Sequence, residues 1–174
     1  MKRIWTFLFI LTAANSYSQD EFASSAFYSD LKKVYADGQT GFTRYKGEKR
    51  KSEFEELATE YKIKFLLPLA DSGKIVFPKA GNPYALYYFE SNKNRLKVDQ
   101  RAMGLRDAIV TAYDKPLYLR SETVMINEHP LTNSWLFANP DEIRTTAALF
   151  RITIYFENNY YNLSCEIRGK QVSE

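Results

Sequence analysis

The strongest constraint on the fold lies near the end of the chain, where two strand-like segments flank Asn158-Asn159. Asparagine tolerates the positive φ that a two-residue hairpin turn requires. With this turn, apolar residues face one another on one side of the hairpin: Phe150 opposite Ile167, Ile152 opposite Cys165, Ile154 opposite Leu163, and Phe156 opposite Tyr161. A shift of one residue would turn the whole apolar set to the other side. The sequence therefore predicts an antiparallel hairpin in this register, with Arg151 opposite Glu166 on its second side.

Two earlier stretches have the periodicity of amphipathic helices. From Asp20 to Gly38, apolar residues recur at helical spacing, and Ser24 or Ser25 is the expected N-cap. Gly38 is expected to close this helix in a left-handed conformation. A second helix is predicted from Asp99 to just before Lys115-Pro116. Its apolar stripe consists of Val98, Ala102, Leu105, Ile109 and Ala112.

Strand patterns fill most of the remaining chain. Over residues 61–67 an apolar side chain occurs at every second position, as in a strand with one buried face. Further strands are predicted over 74–77, 84–90 and 117–127. Asp71-Ser72-Gly73 is predicted to be a turn, and residues 40–51 a loop or short edge strand. Ser52 to Ala58 has the spacing of a capping box and predicts a helical turn. The stretch from Glu128 to Asp141 is predicted to be irregular.

These elements follow one another in the order α-β-β-α-β-β-β, without regular βαβ alternation. We therefore expect an α+β fold, in which an antiparallel sheet carries two main helices packed on one face. The two halves share an order of helix then hairpin, although their sequences do not visibly align. The sequence therefore leaves open whether the chain contains an internal repeat.

The first eighteen residues have the pattern of a secretory signal peptide. Lys2 and Arg3 precede a short apolar run, and Ser16-x-Ser18 supplies the small residues that signal peptidase requires. We expect cleavage after Ser18, which leaves a single α+β domain over 19–174 in the periplasm or outside the cell. Lys2 and Arg3 also supply two charges of the net +3, so the basic balance does not indicate a nucleic-acid partner. No membrane span is expected after cleavage.

The layout of several segments resembles that of small exported bacterial α+β proteins of uncharacterised function. The resemblance rests on Gly41–Gly47, Tyr61–Pro68, Tyr84–Tyr87 and Ala102–Ile109, and covers roughly residues 28–110. It implies export and a sandwich of one sheet and two helices. It implies no activity, site or cofactor.

Residues suited to catalysis are few. His129 is the single histidine and Cys165 the single cysteine, and no glycine-flanked serine offers a nucleophile. Cys165 is predicted to be buried and inert, and His129 to lie in a surface loop. The acids at Glu53, Glu55, Glu56, Glu60 and Asp141-Glu142 are typical of solvated runs. No catalytic, metal-binding or cofactor-binding residue is predicted.

Two features are candidates for binding. One is the basic run, which consists of Arg44, Lys46, Lys49, Arg50 and Lys51. The other is a set of tyrosines, namely Tyr84, Tyr87, Tyr88, Tyr155, Tyr160 and Tyr161. The leading hypothesis is an exported non-enzymatic binding protein that uses an aromatic sheet face or the basic loop. Its expected partner is an envelope or extracellular protein, a glycan or an anionic ligand. The alternative is a cell-envelope hydrolase with an unrecognised carboxylate-based site.

Overall fold

A computed structural model describes residues 21–52, 55–145 and 147–171. The leader over 1–18 and the cleavage site predicted after Ser18 lie outside these residues. The described chain is an α+β fold with two helices on an antiparallel sheet, as the sequence predicts, and this sheet has eight strands rather than the five of the predicted order.

The elements form two successive groups of one helix and four strands. The first group contains α1 (Ser25–Gly38), β1 (Lys46–Arg50), β2 (Ala58–Ile63), β3 (Ala70–Pro78) and β4 (Tyr84–Asn92). The second contains α2 (Arg95–Tyr113), β5 (Tyr118–Ile126), β6 (His129–Phe137), β7 (Phe150–Glu157) and β8 (Tyr160–Arg168), with a 3-10 turn at Pro140–Arg144. The fold thus repeats an α-β-β-β-β unit, which has more strands than the predicted order.

The sheet joins these two units through their last strands. Its order is β1-β2-β3-β4-β8-β7-β6-β5, so each unit is a meander and β4 pairs with β8 at the centre. Central pairs include Ala85 with Ile167 and Tyr87 with Cys165. The two outer edges of the sheet are consequently β1 and β5.

The hairpin of β7 and β8 has the predicted register. Ile152 pairs with Cys165, Arg151 with Glu166, and Phe150 with Ile167. Asn158 and Asn159 form the turn with φ values of 53° and 66°. The apolar side faces the helices and the core, where Cys165 and Ile167 are fully buried.

Helix α1 begins where its sequence indicates but ends differently. Ser24 is the N-cap, and its Oγ accepts a hydrogen bond from the Phe27 N–H. The left-handed conformation predicted at Gly38 is wrong, because Gly38 is the last helical residue and the positive φ values fall on Gly41 and Phe42. A Cβ at Gly38 would come within 2.9 Å of the Phe42 ring, so the glycine serves close packing.

Helix α2 starts before the predicted position. Asn94 is its N-cap, with the side chain accepting from the Leu96 N–H, and the first helical residue is Arg95 rather than Asp99. Asp114 ends the helix in the left-handed conformation. Val98, Leu105, Ile109 and Ala112 of the predicted stripe are buried.

Three other predictions are corrected. Asp71-Ser72-Gly73 lies inside β3, and the chain turns instead at Pro68-Leu69, where Leu69 has a φ of 67°. The predicted helical turn does not include Ala58, which starts β2. Much of the stretch predicted to be irregular is β6, with His129 as its first residue.

Pro130 argues against a strand in the sequence, yet β6 accommodates this proline. In the hairpin of β5 and β6 the turn is Asn127-Glu128, so the flanking pair of Ile126 and His129 is hydrogen bonded, and alternate residues of β6 face β5. The missing N–H of Pro130 therefore lies toward β7, which pairs with β6 only from Thr132 onward.

One hydrophobic core lies between the helices and the sheet. Phe27, Leu31 and Val34 from α1 and Leu105 and Ile109 from α2 pack in the same cluster as the inward side chains of the central strands. Both helices therefore cover one face of the sheet, and within residues 21–52, 55–145 and 147–171 no helix covers the other face.

Candidate functional site

The open face is the side of the sheet opposite the helices. Strand register places Tyr84, Leu86 and Tyr88 of β4 on it, beside Glu166 and Ser164 of β8. Across β8 follow Arg151, Thr153 and Tyr155 of β7, and then Leu131, Asn133 and Trp135 of β6. This face brings together tyrosines, arginines and leucines on the four adjacent strands β4, β8, β7 and β6.

An ion-paired carboxylate lies at the centre of the open face. Glu166 is only 3% exposed although no helix in the described part of the chain covers it. One of its oxygens accepts a hydrogen bond from Arg151 at 2.5 Å, and the other from Arg168 at 3.2 Å. Two charge-assisted contacts offset the cost of burying the carboxylate. Glu166 therefore holds both guanidinium groups in fixed positions.

Three tyrosines surround this centre, and burial raises the pKa of each phenol. The pKa of Tyr155 is raised to about 12 by burial and by the nearby Tyr88 and Glu157. The pKa of Tyr84 is raised by burial and then by Glu166, and that of Tyr88 by burial and then by Glu60. The phenols therefore stay protonated near neutral pH, where each can donate a hydrogen bond to a ligand.

Tyr88 and Tyr155 border a shallow depression of about 280 Å³ in the open face. Its other walls include Leu86, Leu131, Arg151 and Glu166. Apolar and aromatic surface here lies next to fixed charges, within a concavity open to solvent. Such a surface suits binding through contact and hydrogen bonds.

Three of the tyrosines predicted to bind lie elsewhere. Tyr87 is fully buried on the helix side, where its hydroxyl donates to the Phe65 carbonyl at 3.1 Å. It is a core residue, because neighbours along a strand point to opposite faces. Tyr160 lies at the end of the β7–β8 hairpin, with the Lys93 Nζ 5.3 Å from its ring centroid. Tyr161 packs at 5.0 Å from the ring of Phe156.

The basic run does not form one cluster. The buried carboxylate of Asp37 shapes its start, accepting from the backbone N–H groups of Arg44 and Tyr45 at 2.9 Å each. The Lys46 Nζ lies 5.1 Å from the Tyr61 ring centroid and 5.0 Å from that of Phe77.

The remaining basic residues lie at the end of β1 and directly after it. Lys49, Arg50 and Lys51 are exposed. Register assigns Arg50 to the same face as Glu60, and Lys49 to the opposite face. The side chains of Lys49 and Arg50 therefore lie on opposite faces of the sheet.

The residues considered for catalysis are separated. His129 stacks on Phe156 with 3.6 Å between ring centroids, at the start of β6 and not in a loop. Cys165 lies in the core, where burial raises the pKa of its thiol. Glu60 pairs with Lys74 at 2.7 Å. Within residues 21–52, 55–145 and 147–171, no three His, Cys, Asp or Glu side chains lie close enough to hold a metal ion.

A second pocket, of about 260 Å³, lies between the C-terminal ends of the two helices. Tyr35, Tyr113 and Phe150 form its aromatic wall, and Lys32 pairs with Asp114 at its rim. The Tyr35 and Tyr113 rings meet edge to face at 5.4 Å, and Tyr35 also stacks on Phe150. These rings contact one another and close α1 against α2, so we assign them to the core.

Sequence reasoning found part of the open-face site and missed the rest. Tyr84, Tyr88 and Tyr155 were candidates, and the hairpin register already places Arg151 opposite Glu166. Arg168 follows from the same alternation along β8, two residues beyond Glu166. Leu131 is not among the predicted residues, because Pro130 argues against a strand at this position.

Comparisons with protein-family models, with curated proteins and with solved structures found no match to this chain. Among the described residues, neither helix has both the length and the apolar character needed to cross a membrane.

Proposed function

We propose that this chain is an exported, non-enzymatic binding protein that receives a protein partner on the open face of its sheet. The observation that carries the proposal is the depression beside Tyr88 and Tyr155, with the Arg151–Glu166–Arg168 cluster next to it. Tyrosine and arginine are the residue types that protein interfaces favour, and both contribute strongly to binding energy there.

The side chains on this face are suited to binding at low entropic cost. Tyr88 and Tyr155 are half-buried in the free protein, and Arg151 is held by the buried Glu166. A partner would therefore meet groups that already have restricted positions. Less side-chain freedom is lost on association when the contacting groups are ordered beforehand.

The geometry favours binding over the hydrolase alternative. Hydrolysis by paired carboxylates needs one acid to donate a proton and a second to act across a cleft. Both oxygens of Glu166 accept hydrogen bonds from arginines, and Glu60 is paired with Lys74. The depression is also shallow. These features support a surface that recognises a partner.

Export is proposed from the leader sequence alone. Lys2, Arg3, the apolar run and Ser16-x-Ser18 together predict cleavage after Ser18. Mass spectrometry of the protein recovered from the periplasm or the medium should then find an N-terminus at Gln19. A recovered protein that still begins at Met1 would contradict this part of the proposal.

The binding proposal is tested by capture with matched variants. Immobilised protein starting at Gln19 is exposed to the envelope and secreted fractions of its native host, and retained proteins are identified by mass spectrometry. The double variant Tyr88→Ala/Tyr155→Ala should lose the retained partner, at about 1–3 kcal/mol of binding energy per side chain.

The control is Tyr160→Ala, which removes a tyrosine that is 40% exposed and lies away from the depression. It should retain the partner at the level of the unmodified protein. Circular dichroism verifies that each variant is folded. Equal retention by the double variant and the unmodified protein would overturn the proposal.

A further inference from the structure

The two edges of the sheet differ in how they are protected against pairing. Edge β1 is short, contains Lys46, Lys49 and Arg50, and has an irregular register against β2. Charged side chains and bulges of this kind discourage another strand from adding to an edge. Edge β5 has nine residues, continuous pairing with β6, and neither lysine, proline nor glycine. Its charged side chains are Arg120 and Glu122, which have opposite signs, and it has neither the short length nor the irregular register of β1.

The free edge of β5 has hydrogen-bonding groups available. Because Ile126 and His129 flank a two-residue turn, the backbone groups of Ile126 and of every second residue before it bond to β6. The backbone groups of Leu119, Ser121, Thr123 and Met125 therefore point away from the sheet. In the described part of the chain, no backbone group outside β6 bonds to β5.

Exposed apolar side chains on β5 lie beside these outward-pointing backbone groups. Leu119 is 45% exposed, Val124 41%, Met125 65% and Ile126 50%. A strand that combines free backbone groups with exposed apolar side chains is a template for the addition of a further strand.

The sequence of β5 complements itself in one antiparallel register. With Ser121 opposite Ser121 of a second copy, Arg120 lies opposite Glu122 twice, and Tyr118 lies opposite Val124. Both opposite-charge pairs and aromatic–β-branched pairs stabilise antiparallel strands. Moving the centre by one residue places Glu122 opposite Glu122 or Arg120 opposite Arg120, which is unfavourable.

The backbone supports the same register. Ser121 has outward-pointing backbone groups, so two copies of this residue would form a hydrogen-bonded pair at the centre. Arg120 and Glu122 would then form a non-hydrogen-bonded pair, in which opposing side chains lie closest. Glu122 is exposed and has no ion-pair partner among the described residues. Arg120 is held in place by its hydrogen bond to the Ile143 carbonyl at 2.7 Å and by the Trp135 ring, whose centroid lies 4.3 Å from its guanidinium carbon.

We propose that the protein forms a symmetric dimer in which β5 of one copy pairs with β5 of a second copy, centred on Ser121. The two-fold axis is perpendicular to the sheet, so the sheets join and the helices of both copies lie on the same side. Both open faces then also share one side of the joined sheet. The dimer does not depend on the function proposed above, because it uses the edge of the sheet and not the depression.

The first experiment removes one backbone donor. Ser121→Pro deletes the central outward N–H, whereas Ser121→Ala keeps it, and both lose the hydroxyl contact with Ser134. Analytical ultracentrifugation should show a dimer for the unmodified protein and for Ser121→Ala, and a monomer for Ser121→Pro. Circular dichroism establishes that both variants are folded. A monomeric unmodified protein at roughly 100 µM, or a Ser121→Pro variant that dimerises like Ser121→Ala, overturns the proposal.

The second experiment tests charge. Glu122→Arg places like charges opposite each other and should weaken dimerisation at least about tenfold. Asp71→Arg makes the same change of charge at an exposed position of the interior strand β3, and should leave the dimer unchanged. Equal dimerisation constants for these two variants would contradict the register.

The third experiment locates the centre of the pairing. Opposed residues in a hydrogen-bonded antiparallel pair lie about 5.5 Å apart at Cα, within reach of a disulfide. On mild oxidation, Ser121→Cys should therefore form a covalent dimer on a non-reducing gel. Glu122→Cys should not, because its two copies are offset along the strands. A faster cross-link through position 122 would overturn the register.

Discussion

At the scale of single residues, Glu166 shows which parts of the site a sequence can reveal. Its partner Arg151 follows from the register of the β7–β8 hairpin, since the turn and the apolar alternation lie within one short segment. Its burial does not follow in the same way. That burial depends on β4, which pairs with β8 although the two strands lie far apart in the chain. Local patterns carry no information about such long-range neighbours.

Cys165 provides a test at this scale. The thiol is fully buried, and burial followed by the charge of Glu166 raises its pKa. Since only the thiolate reacts, and only when a reagent can reach it, labelling of the native protein by iodoacetamide at pH 8 should be at least about a hundredfold slower than in denaturant.

The labelling rates are measured by intact mass spectrometry, with the denatured protein as the control. Native labelling at the denatured rate would show that Cys165 is accessible, and would contradict its position beside Ile152 and Tyr87.

At the scale of elements, prediction succeeded where local chemistry and tertiary packing agree. The β7–β8 hairpin is such a case. The turn predicted at Asp71-Ser72-Gly73 is a failure with a physical reason. Gly73 lies inside β3, where a Cβ would meet the Leu86 carbonyl oxygen and Ile63 Cγ2 at 3.1 Å each. The glycine allows close packing rather than a reversal of the chain.

The turn of the β7–β8 hairpin can be tested by substitution. Asn159 has a φ of 66°, which most residues adopt only at a cost of about 1–2 kcal/mol. Asn159→Ala should therefore destabilise the protein by about 1 kcal/mol, whereas Asn159→Gly should be close to neutral.

Urea unfolding followed by circular dichroism measures both variants. Because the two substitutions remove the same amide group, the difference between them reports the backbone conformation, reduced by the greater freedom that glycine has in the unfolded chain. Equal destabilisation by alanine and glycine would contradict the positive φ at this position.

At the scale of the whole molecule, the two α-β-β-β-β units depend on one another. They meet through the pairing of β4 with β8, the packing of α1 on α2, and backbone hydrogen bonds such as that from the Gly169 N–H to the Pro83 carbonyl. The sequence left the repeat open because the units share an architecture without visible sequence similarity. A separated unit would expose a central strand edge and the buried side of its helix, so neither unit has a complete core of its own.

We therefore expect the two units to unfold in one cooperative transition. Trp135 is the only tryptophan among the described residues and lies in β6, so its fluorescence reports on the second unit, while circular dichroism reports on both. Ile75 is fully buried in β3 of the first unit, and Ile75→Val should destabilise the protein by about 1 kcal/mol. If folding is cooperative, the urea midpoint from Trp135 fluorescence shifts as far as the midpoint from circular dichroism.

Ile152→Val in β7 is the matched substitution in the second unit, where Ile152 is 3% exposed. It should shift both midpoints together in the same way. An Ile75→Val variant that moves the circular dichroism midpoint but leaves Trp135 unaffected would show that the units fold separately. The central β4–β8 pairing would then contribute little to stability, because unfolding of the first unit would not destabilise the second.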